Sequence, residues 1–377
     1  MNCMAAREKI LFCGNSAWAM YQFRRGVMEA LIADGYEVHV VAPADGNSSA
    51  LEGLGCIFHA VPMSPQGHNP LEDLRLVLVL SALYRRVGPK VIFHYTIKPN
   101  IYGSVAAWLA RAESIAITTG LGYVFLNVGL VSRVSKLLYR IAFRFPQAVW
   151  FLNHEDRGAF VSRKLVDSSK CVVLPGEGID LTYFRQLSDI KPGPSECFTF
   201  LLIARMLWDK GIGEYVDAAR QLGGRYRNVR FLLLGPGGSA NPSAIPIEQI
   251  YRWQEDGVVE YLGEAADVRP AIAAADCIVL PSYREGVPRV LLEAAAMERP
   301  VIATDVPGCK DIVDHGVNGY LCAERNAADL TSKMEAMLQL GASARREMGR
   351  AGRAKVQREF DEKKVVAHYR SVIQAFA

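Results

Sequence analysis

The residues best suited to chemistry gather in one stretch, Pro281 to Ala294, which reads Pro-Ser-Tyr-Arg-Glu-Gly-Val-Pro-Arg-Val-Leu-Leu-Glu-Ala. An apolar run, Cys277 to Leu280, precedes it and reads as a buried strand. A loop carrying Glu285 follows, then a helical pattern carrying Glu293. A carboxylate accepts two hydrogen bonds at once, which suits the vicinal diol of a ribose or a hexose. The two glutamates stand at i and i+8, so they would share a face if both were helical. Gly286 admits backbone close to a ligand, with Val287 beside it. The bare spacing also arises by chance, and two solvated helix glutamates are the plain alternative. The position after a buried strand favours a binding site.

A second constellation, Ile203 to Gly211, places Arg205 and Lys210 at another strand end, before a probable helix. Arginine forks onto phosphate oxygens and lysine supplies a mobile point charge. Together they could neutralise a departing diphosphate without a metal. A surface basic pair is the alternative; the strand-end position argues against it. Leu234-Gly235-Pro236-Gly237-Gly238 resembles a phosphate-binding turn, but Pro236 lacks an amide donor and the full dinucleotide glycine spacing is absent, so a tight connection fits equally. Gly14 closes the first apolar run, and Asn15 or Ser16 could cap the next helix and leave amides for an anion. His94 and His154 each follow an apolar run, where a structural histidine is the commoner outcome. No His, Cys and Asp cluster has metal-ligand spacing, and no metal site is expected.

These groups need a scaffold, and the chain supplies a rhythm of short apolar runs and helical patterns from end to end. Lys9 to Cys13, Glu37 to Ala42, Val91 to Tyr95 and Ala148 to Leu152 read as strands in the first half. Phe198 to Ile203, Val229 to Leu234, Val258 to Leu262, Cys277 to Leu280 and Val301 to Ala303 do so in the second. That rhythm predicts parallel sheets covered by helices, an α/β fold of two doubly wound, Rossmann-like domains. It breaks at residues 188–197, where two prolines and no periodicity read as a linker. The expected division is 1–187, the linker, 198–357 and a final helix over 358–377. Ligands of such sheets bind at the carboxyl ends of the strands, so facing domains would hold a site in the cleft between them.

A length of 377 residues suits two domains, and a net charge of +4 is too mild to suggest a nucleic-acid partner. Eight scattered cysteines without a C-x-x-C pair fit free thiols in a reducing compartment. The polar start, Met1 to Lys9, has no signal-peptide core. The longest apolar runs fall short of the roughly 20 residues a membrane span needs. Between Leu130 and Phe145, Arg133, Lys136, Arg140 and Arg144 recur at three- and four-residue steps beside Leu137, Leu138 and Ile141. Such a helix either rests on an anionic membrane or is an ordinary solvated surface helix.

Arg205 with Lys210, the turn at Gly235, and Glu285 to Glu293 resemble the retaining glycosyltransferases of family 4, which have the GT-B fold. Pro175-Gly176-Glu177-Gly178-Ile179-Asp180 is similar to that family's P-G-x-G-[IV]-D segment. Val306-Pro307-Gly308 with Val317-Asn318-Gly319-Tyr320-Leu321 is similar to its C-terminal signature. Thr119 to Phe125 (Thr-Gly-Leu-Gly-Tyr-Val-Phe) and Lys98-Pro99 resemble the subgroup that extends capsule, O-antigen and N-glycan precursors on undecaprenyl diphosphate.

The resemblance implies Arg205 and Lys210 on the donor diphosphate and Glu293 on the ribose hydroxyls. It puts Glu285 on the donor sugar beside the backbone of Gly286 and Val287, with Gly14 and Gly235 also at the donor. Lys98, Thr119 and Gly120 fall to the acceptor. Relatives often carry histidine immediately before the Thr96 equivalent. This chain has Tyr95 there and His94 one place earlier, so His94 is only a catalytic candidate. The implied reaction moves a hexose or N-acetylhexosamine from a UDP-sugar to an undecaprenyl-diphosphate-linked sugar with retention, without cofactor or metal. The implied location is cytoplasmic, peripheral on the cytoplasmic face of the inner membrane, which would account for the basic helix. The family's last helix crosses back to the first domain. Rival readings are a non-hydrolysing UDP-N-acetylglucosamine epimerase, a family 4 transferase with a soluble acceptor, and a dinucleotide-dependent protein, the last disfavoured by the incomplete glycine fingerprint.

Overall fold

A computed structural model describes residues 7–63, 69–120, 129–187, 197–239 and 241–376. All of the expected linker except Cys197 lies outside them, as do Leu121 to Phe125. The chain forms two compact units, one running to Gly178 and taking in Glu362 onward, the other from Ile179 to Asp361.

In the first unit the strands are β1 (Lys9–Cys13), β2 (Glu37–Ala42), β3 (Ile57–Ala60), β4 (Val91–Tyr95), β5 (Ser114–Thr118), β6 (Ala148–Phe151) and β7 (Cys171–Val173). The helices between them are α1 (Ala17–Ala33), α2 (Ser48–Gly53), α3 (Pro70–Val87), α4 (Ser104–Ala110, entered through a π-turn at Pro99–Gly103), α5 (Leu130–Ala142) and α6 (His154–Ser162). The sheet is parallel, in the order β3-β2-β1-β4-β5-β6-β7. Alternation along each strand divides the side chains between two layers. Leu11, Cys13 and Ile92 pack with Leu76, Leu80 and Leu83 of α3 and with Ala106 and Ala107 of α4. Phe12 and Phe93, one residue along, face the other way and pack their rings against Tyr369 of the C-terminal helix Glu362–Ala375. That helix is therefore part of the first unit's core.

The second unit has β8 (Phe198–Ile203), α7 (Ile212–Gly223), β9 (Val229–Leu234), α8 (Ile247–Glu255), β10 (Glu260–Tyr261), α9 (Arg269–Ala274) and β11 (Cys277–Leu280). It continues with α10 (Arg289–Ala296), β12 (Val301–Thr304), α11 (Cys309–Ile312), β13 (Gly319–Cys322), α12 (Ala327–Gln339) and α13 (Ala342–Glu359). Its parallel sheet runs β10-β9-β8-β11-β12-β13. Both sheets reverse direction once, between β1 and β4 and between β8 and β11, which are the places where such sheets take ligands.

The units divide at Gly178, ahead of the linker the sequence suggested. The reason is hydrophobic: Ile179 and Phe184 are buried in the second unit's core, and the Ile179 amide donates to the Phe360 carbonyl at 2.9 Å. Gly178 has φ +76°, and a side chain there would collide with the Glu362 backbone, so the P-G-x-G segment needs its second glycine for close packing.

Candidate active site

Three loops converge at the switch point of the second unit, each leaving the carboxyl end of a strand. The loop after β8 carries Arg205 and Lys210. Its Met206 amide donates to Pro236 and its Trp208 amide to Ser243, at 3.0 and 2.8 Å. Gly211 ends the turn at φ +70°, where a Cβ would overlap the Pro281 carbonyl. The loop after β11 is stitched alongside, its Tyr283 amide donating to the Asp209 carbonyl at 2.9 Å. The third loop leaves β12, whose last residue, Thr304, donates its hydroxyl to the Ser282 carbonyl. The loop brings Gly308 at φ +79°, where a side chain would strike the backbone of Glu285 and Gly286.

This arrangement unites Lys210 and Glu285. The Lys210 Nζ lies 2.7 Å from Glu285 Oε1, and both side chains are largely sheltered. Arg205, from the same loop as Lys210, is exposed and makes no ion pair among the described residues. Glu293 sits in the second turn of α10, buried, with Arg289 Nε donating to its Oε1 at 3.0 Å. Burial pushes its carboxyl above the ordinary value, and Arg289 only partly opposes that. Glu285 precedes the helix, which starts at Arg289 after Pro288, so the two glutamates are not on one helical face. Pro288 provides no side-chain cap and the first turn has no acidic residue. The positive end of the α10 dipole therefore lies beside Gly286 and Val287, a setting that favours an anion.

Arg289 and Gly308 are the members of this site that sequence reasoning missed. The signal for Arg289 was its i, i+4 relation to Glu293. In the sequence Gly308 stands out only as part of the C-terminal signature.

Comparison with known proteins decides what this geometry belongs to. The profile described as glycosyl transferase 4-like domain matches residues 21–177, and that of glycosyl transferases group 1 matches residues 197–340. This chain is a family 4 glycosyltransferase of the GT-B fold.

The transferase is 29% identical over 346 residues to the N,N'-diacetylbacillosaminyl-diphospho-undecaprenol α-1,3-N-acetylgalactosaminyltransferase of Campylobacter jejuni, covering 88% of this chain and 89% of that one. It is 24% identical over 275 residues, 69% of each chain, to the UDP-Gal:α-D-GlcNAc-diphosphoundecaprenol α-1,3-galactosyltransferase of Escherichia coli. Among solved structures, Anabaena HepE in complex with UDP-glucose shares the fold at a TM-score of 0.81 and 20% identity, over 97% of this chain and 99% of that one.

Other candidate residues of the transferase fall less simply. Gly235 follows β9 at φ +139°, but its amide already donates to the Gly263 carbonyl at 2.7 Å. Its Cβ would overlap the Ala204 carbonyl, so this turn is a tight connection and its glycine is needed for packing. In the first unit, the Gly14 amide donates to Val41 at 2.9 Å. Ser16 caps α1 through the Ala19 amide, and the Asp45 carboxylate accepts from the Trp18 amide at 2.8 Å. The anion position that the sequence suggested there is held by the protein's own carboxylate.

His94 is wholly buried on β4. Its Nε2 lies 3.1 Å from the Tyr84 hydroxyl, and burial lowers its pKa to about 3, so the ring is neutral. It is a core residue that reaches no surface. His154 is exposed and opens α6, three residues past the carboxyl end of β6, the strand beside β5. Lys98 follows β4 and pairs with Asp73 at 2.7 Å, and Asp73 also accepts from the Tyr102 hydroxyl at 2.7 Å. Thr96, between His94 and Lys98, holds a left-handed backbone at φ +70°, the kind of local strain that gathers at functional strand ends. Thr119 and Gly120 follow β5.

The basic helix is α5. Arg133 is exposed, Arg140 donates to the carbonyls of Arg163 and Lys164, and Arg144 lies past the helix end. Among the described residues no helix is long and apolar enough to cross a membrane.

Proposed function

We propose that this transferase moves a hexose or N-acetylhexosamine from a UDP-sugar to a sugar carried on undecaprenyl diphosphate, with retention of anomeric configuration. The observation that carries the reading is the meeting of Lys210 and Glu285 beside the uncapped start of α10, with Glu293 buried one turn on. Diphosphate is the natural ligand for Arg205, Lys210 and a positive helix end. Ribose hydroxyls suit Glu293 and sugar hydroxyls suit Glu285, next to the backbone of Gly286 and Val287. As the bond from the anomeric carbon to the diphosphate breaks, negative charge grows on the leaving oxygen. Fixed cations and amides stabilise that charge more than the ground state, which lowers the barrier. Two cations can carry this role without a metal.

The names of the Campylobacter and Escherichia coli relatives support a lipid-diphosphate acceptor, and the second supports a UDP-sugar donor. We assign the acceptor to Lys98, Thr119 and Gly120 at the ends of β4 and β5. We assign membrane contact to Arg133, Lys136, Arg140 and Arg144, with the protein peripheral on the cytoplasmic face of the inner membrane. His94 has no place in the reaction, being a neutral ring in the core.

The test is UDP release from a panel of UDP-sugars in EDTA, with and without a short undecaprenyl-diphosphate-linked sugar. Release from one donor only with the lipid acceptor supports the reading. Release with a free sugar acceptor instead points to a soluble substrate, and conversion of a donor with no acceptor points to an epimerase.

A further inference from the structure

Helices α3, α4 and α5 lie in one layer of the first unit, and they show apolar side chains on the side turned from the sheet. On α3, Leu76, Val77, Leu80, Leu83 and Tyr84 pack inward. Leu71, Leu74 and Leu78, at steps of three and four, form an outward stripe and are 77%, 57% and 59% exposed. Trp108, near the end of α4, is 57% exposed, its ring 4.9 Å from that of Phe145 just beyond α5. On α5 itself Val134, Leu137 and Ile141 make a second exposed stripe. Single exposed leucines are ordinary, but stripes on several helices of one layer mark an interaction surface.

The residues around the stripes name the partner. Arg75, Arg85 and Arg86 of α3, Arg111 after α4, and Arg133 and Arg144 are all exposed. An apolar band set among arginines complements a surface that is anionic at its rim and hydrocarbon beneath. A second copy of this chain would bring arginines against arginines. The place is also telling. Leu71 and Leu74 flank Asp73, the residue that grips Lys98, so the α3 stripe begins at the strand end assigned above to the acceptor.

We propose that α3 seats the first unit on an anionic bilayer, with Leu71, Leu74 and Leu78 entering the boundary between headgroups and acyl chains and Trp108 at its edge. The proposal rests on the lipid-linked acceptor reading and adds an apolar element to the cations of α5.

The experiment floats the full-length protein with vesicles of phosphatidylcholine, with or without phosphatidylglycerol. It compares wild type with Leu74→Glu/Leu78→Glu and with the milder Leu74→Ser/Leu78→Ser. Wild type should float only with the anionic vesicles, and both variants should bind at least about tenfold more weakly while melting like wild type. UDP release to a water-soluble short-chain acceptor should be unchanged in the variants. Equal flotation of wild type and variants, or none by wild type, overturns the proposal. A wild-type dimer that the variants lose, without vesicle binding, overturns it in favour of self-association. Flotation as expected, with no UDP release from any donor, supports the membrane surface and removes the proposed reaction instead.

Discussion

The ammonium of Lys210 and the carboxylate of Glu285 lie 2.7 Å apart although they follow β8 and β11, neighbours in the sheet that are far apart in the chain. Each neutralises the other before a donor arrives, so neither acts alone. Lys210→Ala and Glu285→Ala should each lower kcat about 100-fold or more, the usual loss for removing one charge-stabilising group. The double variant should be no more than about tenfold worse than the weaker single, because bonded residues are not additive. Full additivity in steady-state kinetics would show that the pair is incidental.

Glu293 is buried with its pKa raised, so between the usual 4.5 and that higher value the folded state holds a proton that the unfolded state has lost. Stability contributed by this group therefore falls as pH rises through that window. Glu293→Gln removes the effect and should raise the melting temperature of the ligand-free protein at neutral pH. The same change should weaken UDP binding by about 10- to 100-fold, the cost of losing charge-assisted hydrogen bonds. Calorimetry on one pair of proteins reads both effects, and a variant that binds UDP like wild type would exclude Glu293 from the nucleotide site.

Gly211 combines φ +70° with contact against the Pro281 carbonyl. Gly211→Ala should cost about 3 kcal/mol in urea unfolding of the second unit, from strain and displacement together. Gly213, one step into α7, lies against only the movable Trp208 ring, so Gly213→Ala should be near neutral or mildly stabilising. Equal effects at the two positions would mean that the turn is not tightly held.

His94 stays neutral until about pH 3, whereas an unfolded histidine takes a proton near 6.5. A lowered pKa means stability present above 6.5 and lost as pH falls below it. From pH 7 to 5 the loss from this residue should be about 2 kcal/mol, at about 1.4 kcal/mol per unit once the unfolded form is protonated. His94→Gln should flatten the profile by that amount in urea titrations. Its kcat at neutral pH should stay within about threefold of wild type, whereas a loss on the scale set by Lys210 would return His94 to the reaction.

Much of this was legible because parallel strands are short continuous apolar runs and their carboxyl ends carry the useful side chains. Arg205, Lys210 and Glu285 could be placed at strand ends from the residues alone. That Lys210 would bond Glu285 could not, since it depends on β8 and β11 becoming neighbours. Gly235 and Gly14 were harder. A glycine after a strand looks the same whether it frees an amide for a ligand or lets two backbones touch, and here the Gly263 and Val41 carbonyls take the amides. The orientation of His94 was hidden for a related reason: alternation along β4 turns it toward Tyr84, and the next residue, Tyr95, faces Tyr369.

The last helix has a bearing on how the protein is made. Tyr369 fills the space among Phe12, Phe93 and Trp150, so the first unit lacks a central piece of its core until residues 362–375 have left the ribosome. The second unit, complete by Asp361, can close on itself earlier. The half that begins synthesis is thus the half that finishes folding, and a nascent chain stalled just short of Tyr369 would carry a folded second unit beside an unfinished first one.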